Sequence, residues 1–145
     1  MLDSLKGKTL LAVEAATDVC SVAVATNGGI VARHEHAPRR HAELVLQYCH
    51  EVLGEAGVKL SELDALVVGR GPGSFTGVRI AVAVAQGLAL GANVPVAPVS
   101  TLATLAQNVF RQRGEAAVCA ALDARMDEIY VGAFTADESG LMRPP

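Results

Sequence analysis

The stretch GRGPGSFTGVRIAVAVAQG, from Gly69 to Gly87, decides the fold, because it joins a strand to a long apolar helix through a glycine-rich loop. Loops of this kind often bind phosphate at the helix N-terminus. A P-loop needs a lysine directly after its last glycine, but Val78 and Arg79 follow Gly77. The dinucleotide pattern GxGxxG fails too, because its third glycine falls on Thr76. Our first interpretation is therefore structural: the glycines allow the backbone conformation that connects the strand to the helix.

The alternative interpretation of the loop is a phosphate site. Either Ser74 or Thr76 can cap the helix, and the N–H groups at its start attract anions. Glu14, at the end of the first predicted strand, is a candidate acid for the metal or phosphate side of such a site. The candidates for nucleotide binding are Glu14, Gly73, Ser74 and Thr76. No cofactor is predicted except ATP or ADP, which could bind at an interface shared with another subunit.

The two longest predicted helices carry more apolar surface than one sheet can cover. Between Val78 and Ala92 only Arg79 and Gln86 are polar, and a helix that is apolar all round must be covered all round. The helix at 39–57 has an apolar arc of roughly 200°, about twice what a helix on one surface needs. Either the two helices bury each other in a thick core, or they form a face that docks on another subunit.

Composition and charge limit the functional class. The 145 residues are 51% hydrophobic but only 3% aromatic. The net charge of −3 argues against a protein that binds RNA without a partner. The three cysteines lie far apart without a CxxC, so neither a disulfide framework nor a zinc site is expected. The N-terminus does not read as a signal peptide, and the apolar run 80–92 is shorter than the roughly 20 residues of a membrane span. We expect a cytoplasmic protein.

The order of predicted elements is β-β-β-α-β-α-β-α, followed by a further β-β pair. Three hairpin-linked strands and then strand–helix alternation predict an α/β fold of the ribonuclease H-like or actin-like kind, a mixed sheet with helices on its faces. Residues 1–114 are predicted to form this domain. Residues 115–145 are predicted to begin a second domain that stays incomplete, with a polar, turn-rich tail.

Catalytic constellations are not predicted. Four histidines occur, at 34, 36, 41 and 50, but their spacing matches no metal site. The acidic segment 123–128 is interpreted as a solvated hairpin turn. No nucleophile–base pair is apparent, so we predict no catalytic residue and no metal.

Three segments, GRGPGSFTGVRIAVAVAQGLALG (69–91), VSTLATLAQ (99–107) and LDARMDEIY (122–130), closely resemble the bacterial TsaB family, also called YeaZ. The resemblance covers nearly the whole chain, and the GPGSFTG-R block is its most specific part. It implies an actin-like (ASKHA) fold of two similar domains and a part in making N6-threonylcarbamoyladenosine beside the anticodon of tRNAs. Two departures stand out: the family usually has Asp-Thr where this chain has Glu14-Ala15, and its members are longer.

The resemblance also implies partners. Members pair with a related catalytic subunit, TsaD, which holds the metal and transfers the threonylcarbamoyl group, and a small ATPase, TsaE, joins the pair. The pairing uses the two apolar helices, and alone the same face forms homodimers. We therefore expect a non-catalytic scaffold subunit without autonomous tRNA binding and without a membrane partner. An ATP-using phosphotransferase is the alternative, and a protease that acts on the partner comes last. The interface residues predicted on this basis are Leu44, Leu46, Tyr48, Val78, Val82, Gln86 and Leu90.

Overall fold

The computed structural model describes residues 7–145, and its elements follow the predicted order. The strands are β1 Leu10–Glu14, β2 Val19–Thr26, β3 Gly29–His36, β4 Ala65–Gly69, β5 Val96–Val99, β6 Ala117–Arg125, β7 Glu128–Ala136 and β8 Met142–Arg143. The helices are α1 His41–Ala56, α2 Phe75–Ala92 and α3 Thr101–Arg113, with a single 3₁₀ turn at Leu60–Glu62. The short strand β8 lies within the tail that was predicted to be polar and turn-rich.

Five strands form one mixed sheet in the order β3-β2-β1-β4-β5. The hairpin strands β1, β2 and β3 pair antiparallel, whereas β1, β4 and β5 run parallel because helices connect them. Helices α1 and α2 pack on one face, over a core that includes Leu11, Val22 and Leu66, all fully buried. This is the mixed α/β arrangement that the element order predicts.

The opposite face of this sheet is lined by small apolar residues. A row in register crosses all five strands, formed by Ala32, Ala23, Ala12, Val67 and Ala97. Ala32 and Ala97, at the two edges, are exposed, and the three central residues are half-buried. The two faces of the sheet therefore differ in side-chain size, with the larger residues under the helices.

Helix ends follow the capping residues. The Ser74 hydroxyl accepts a hydrogen bond from the Gly77 N–H at 3.2 Å, which makes Ser74 rather than Thr76 the N-cap of α2. Helix α1 ends at Gly57, whose left-handed φ of 66° suits glycine. Asn93 takes the same role after α2, with a φ of 56°.

A second, antiparallel sheet of β6, β7 and β8 has its own core. Helix α3 packs on this sheet through Leu102 and Ala106, which contact a buried cluster with Ala120, Phe134 and Met142. The sequence had placed α3 in the first domain, with a boundary after residue 114. Helix α3 packs with the second sheet through its apolar stripe, and the domain boundary itself stays a prediction.

A polar network joins α1 to β3 at the edge of the first core. The Tyr48 hydroxyl donates to Glu35 Oε2 at 2.6 Å, and Arg40 donates to Glu35 Oε1 at 2.9 Å. The Tyr48 hydroxyl holds the pKa of the Glu35 carboxyl below its usual range, with a smaller contribution from Arg40. The same contact raises the pKa of Tyr48 to about 12, so the phenol stays protonated.

Tyr48→Phe is expected to raise the pKa of Glu35 toward its ordinary value, since it removes the main hydrogen bond to the carboxylate. A carboxyl whose pKa is lower in the folded state than in the unfolded state stabilises the protein at pH values above its unfolded-state pKa. That stability is lost as the pH falls through the folded-state pKa. The stability difference between the two proteins should therefore shrink in acid. An NMR titration of Glu35 measures the shift, with Tyr130→Phe as control. An identical Glu35 titration in both proteins would contradict this explanation.

Candidate functional site

The glycine loop packs against the chain's own β1–β2 connection. The Ser74 N–H donates to the Ala16 carbonyl at 2.7 Å. A Cβ on Gly73 would overlap the Ala16 carbonyl oxygen, and one on Gly77 would overlap that of Ala15, both well inside 3.0 Å. These glycines are therefore needed for the close approach of two backbone segments. The arrangement supports the interpretation of the loop as backbone geometry.

Glu14 has structural partners at both carboxylate oxygens. Its Oε1 accepts from the Ala16 N–H at 2.8 Å, and its Oε2 accepts from the Thr101 hydroxyl at 3.0 Å. The carboxylate fills the space that a side chain at position 69 would occupy, since a Cβ on Gly69 would overlap it. Glu14 thus ties the end of β1 to the start of α3, a contact that supports a structural rather than a phosphate-binding role.

Thr101→Val is expected to lower the free energy of unfolding by about 1–2 kcal/mol, because it leaves Glu14 Oε2 without its donor while keeping the shape of a 3%-exposed side chain. Thr104→Val is the matched control: it lies on the same helix, is exposed, and bonds only the Ser100 carbonyl of its own helix. Urea denaturation of the two variants measures the difference. Equal stability of both would show that the Glu14–Thr101 contact contributes nothing.

Helix α2 buries only one line of side chains. Its buried residues are Gly77, Ala81, Ala85 and Ala89, which recur every four positions and face the sheet. Outward, Leu90 is 84% exposed and Phe75 is 73% exposed, and Leu46 on neighbouring α1 is 52% exposed. We call the surface formed by Leu46, Phe75, Ala83, Gln86 and Leu90 the outer helix face. It is a largely apolar surface, with Gln86 within it and the exposed Arg79 beside Phe75, and the described residues do not enclose it.

By length and composition alone, α2 could cross a membrane, with 18 residues and a mean hydropathy of 1.5. Core helices of soluble proteins pass the same test. Its buried line of small residues packs on β4 and β1, and 22% of the helix is buried. Its composition is therefore explained by a sheet on one side and an apolar outer face on the other.

The predicted interface residues divide into three groups. Leu46, Gln86 and Leu90 are exposed on the outer helix face, as a docking surface requires. Val78 and Val82 are half-buried, and Val82 packs on the chain's own core. Leu44 and Tyr48 are 4% and 8% exposed and belong to the core beneath α1, so the structure places them below the exposed surface. Phe75, which was not among the predicted interface residues, is also exposed on this face.

A polar cleft lies beside the glycine loop. It has a volume of about 490 Å³ and extends from the β1–β2 connection to the β6–β7 hairpin. Its polar lining includes Thr17, Asp18, Ser74, Asp123, Arg125 and Tyr130. Within residues 7–145, His, Cys, Asp and Glu side chains form no group of three that could hold a metal ion. Burial raises the pKa of the Cys49 thiol to about 12 and also raises that of Cys20, so both buried thiols stay protonated near neutral pH.

Comparison with known proteins identifies the class. Residues 14–140 match the family model described as TsaD: tRNA N6-adenosine threonylcarbamoyltransferase. The chain is 47% identical to the tRNA threonylcarbamoyladenosine biosynthesis protein TsaB of Escherichia coli over 91% of this chain and 57% of that protein. It is 45% identical to the TsaB of Haemophilus influenzae over 87% of this chain and 53% of that protein. The chain thus has the actin-like α/β fold of this transferase family.

Within that family the chain belongs with the TsaB proteins. The solved structure of YeaZ from Pseudomonas aeruginosa superposes with a TM-score of 0.91 at 48% identity, and the match covers 95% of this chain and 64% of that one. The family resemblance and the fold predicted from the sequence are both confirmed. The chain spans somewhat more than half the length of these relatives.

Proposed function

We propose that this chain is a non-catalytic scaffold subunit of the machinery that makes N6-threonylcarbamoyladenosine in tRNA. It docks a TsaD-like catalytic partner through the outer helix face. The observation that carries the proposal is the exposure of Leu90, Phe75 and Leu46 on one pair of adjacent helices. Soluble proteins rarely leave contiguous apolar patches of this kind open unless a partner covers them.

The composition of the outer helix face suits a helical partner. Ala83 and Gly87 are exposed in the middle of α2, and their small side chains do not protrude from the helix. A Cβ on Gly87 would meet no atom within 4 Å. Leu90 and Phe75 stand at the two ends, and Arg79 lies over the Phe75 ring at 3.5 Å. A partner helix can therefore approach the centre closely while large side chains anchor both ends.

The catalytic residues are assigned to the partner rather than to this chain. Glu14, the candidate acid at the end of β1, is engaged at both oxygens by Ala16 and Thr101. The glycine loop is likewise in contact with the β1–β2 connection. These contacts support the scaffold over the alternative, an ATP-using phosphotransferase. A TsaE-like ATPase as third component, a homodimer in the absence of the partner, and a cytoplasmic location complete the proposal.

Titration calorimetry separates the scaffold from the phosphotransferase. We expect the chain to bind the cognate threonylcarbamoyltransferase with a negative heat-capacity change, because apolar surface is buried. We expect no heat from titration with magnesium-ATP. Micromolar binding of magnesium-ATP, together with no association with the transferase, would reverse the assignment.

A further inference from the structure

Helix α2 carries a single charged residue, and it lies on the exposed side of the helix. Arg79 is exposed one turn after Phe75 and one turn before Ala83, so it stands in line with the residues of the outer helix face. It does not line the polar cleft beside the glycine loop. A partner that covers both Phe75 and Ala83 therefore also covers the guanidinium group of Arg79.

The guanidinium group of Arg79 is held in place by Phe75. Its central carbon Cζ lies 3.5 Å from the centroid of the Phe75 ring, and its Nη1 donates to the Phe75 carbonyl oxygen at 2.9 Å. A side chain that is already stacked and hydrogen-bonded loses little conformational freedom on binding. A guanidinium group has five N–H donors, so most of the donors of Arg79 remain available to another molecule.

Arg79 has no carboxylate partner within residues 7–145. The glutamates of neighbouring α1 are paired with arginines outside α2: Glu43 with Arg40, and Glu51 and Glu55 with Arg33. If a wholly apolar partner covered Arg79, the guanidinium group would be buried without a counter-charge, which is strongly unfavourable. The partner surface must therefore supply an anionic group at this position.

We propose that Arg79 is a specificity-determining contact of the outer helix face, and that the docking partner presents an Asp or Glu carboxylate to it. This inference rests on the proposed function, because it names the chemistry that the partner brings to the same face. A carboxylate fits the planar guanidinium group with two parallel hydrogen bonds. Because apolar side chains surround the pair, a surface without the acid is rejected.

The test is calorimetric titration of Arg79 variants with the cognate threonylcarbamoyltransferase. Arg79→Met keeps an unbranched apolar chain over Phe75 but removes the charge, and we expect its affinity to fall about 10- to 100-fold. Arg79→Lys keeps the charge without the planar group and should lie between Arg79→Met and the original chain. Arg113→Met, which removes an exposed arginine near the end of α3, is the matched control and should bind normally.

Two further measurements separate charge from packing. The affinity of the original chain should fall more steeply with added sodium chloride than that of Arg79→Met, because salt screens the ion pair. A charge swap then locates the acid: exposed Asp and Glu residues of the transferase are replaced by Lys, one at a time. We expect one such replacement to weaken binding of the original chain and to restore part of the binding lost in Arg79→Glu.

Three results would overturn the inference. Equal affinity of Arg79→Met and Arg113→Met, while Leu90→Glu binds weakly, would leave the docking face in place without a role for Arg79. An Arg79→Lys variant as weak as Arg79→Met, with unchanged salt dependence and no rescue by any charge swap, would reduce Arg79 to packing on Phe75. No association of the original chain with the transferase would overturn the docking proposal as well. Since Arg79 is exposed, its variants should unfold at the same temperature as the original.

Discussion

Leu90→Glu is expected to reduce the affinity for the TsaD-like partner at least about 100-fold, which corresponds to about 2.8 kcal/mol. Leu90 is 84% exposed in the chain alone, so a glutamate there is solvated and leaves the fold intact. In the complex the same carboxylate would be buried against apolar side chains without a counter-charge, which costs several kcal/mol. Calorimetric titration of the variant with the partner measures the loss.

The control for this substitution is Ile30→Glu. Ile30 is 71% exposed, on β3 at the opposite face of the first sheet, so it tests the same chemical change away from the outer helix face. We expect its affinity to match that of the original chain. If Leu90→Glu also binds the partner normally while Ile30→Glu does not, the interface lies on the sheet rather than on the helices.

Gly77→Ala is expected to destabilise the fold by about 3 kcal/mol or more, which is among the larger effects of a single substitution. The added methyl group would overlap the Ala15 carbonyl oxygen and also come within 3.3 Å of the Ser74 Cβ. Backbone atoms on both sides hold this distance, so relief requires the loop to leave the β1–β2 connection. Thermal or urea unfolding measures the loss.

Gly87→Ala provides the opposite control on the same helix. A Cβ there meets no atom within 4 Å, and alanine is a better helix former than glycine by about 0.5–1 kcal/mol. We therefore expect this variant to be slightly more stable than the original. If Gly77→Ala were as stable as Gly87→Ala, the glycine of the loop would have to be explained by something other than close packing.

Local signals in the sequence predicted most of the secondary structure. The helix at 39–57 was predicted to end at Gly57, the C-cap of α1, and Ser74 was one of the two caps considered for α2, because capping depends on residues close to the helix end. Strand β8 was missed because two residues are too few for a periodic pattern. The partner sheet of α3 was also missed, since an apolar stripe does not reveal which surface it meets.

The candidate site was only partly predictable for the same reason. The width of the apolar arc on α1 could be predicted from the sequence. Which of its residues face the core and which face outward could not. Tyr48 lies inward because its hydroxyl reaches Glu35 on β3. Glu14 was interpreted as a phosphate-side acid, whereas the structure pairs it with Thr101, 87 residues away. Such a long-range contact leaves no local pattern to recognise.

The most direct test of the docking proposal is hydroxyl-radical footprinting of the chain with and without the cognate threonylcarbamoyltransferase. The proposal predicts that Leu46, Phe75 and Leu90 lose most of their reactivity in the complex, while Ile30 and Met126, which are 71% and 95% exposed, keep theirs. Unchanged reactivity at Leu90 and Phe75 in a complex that demonstrably forms, with protection at Ile30 instead, would contradict it.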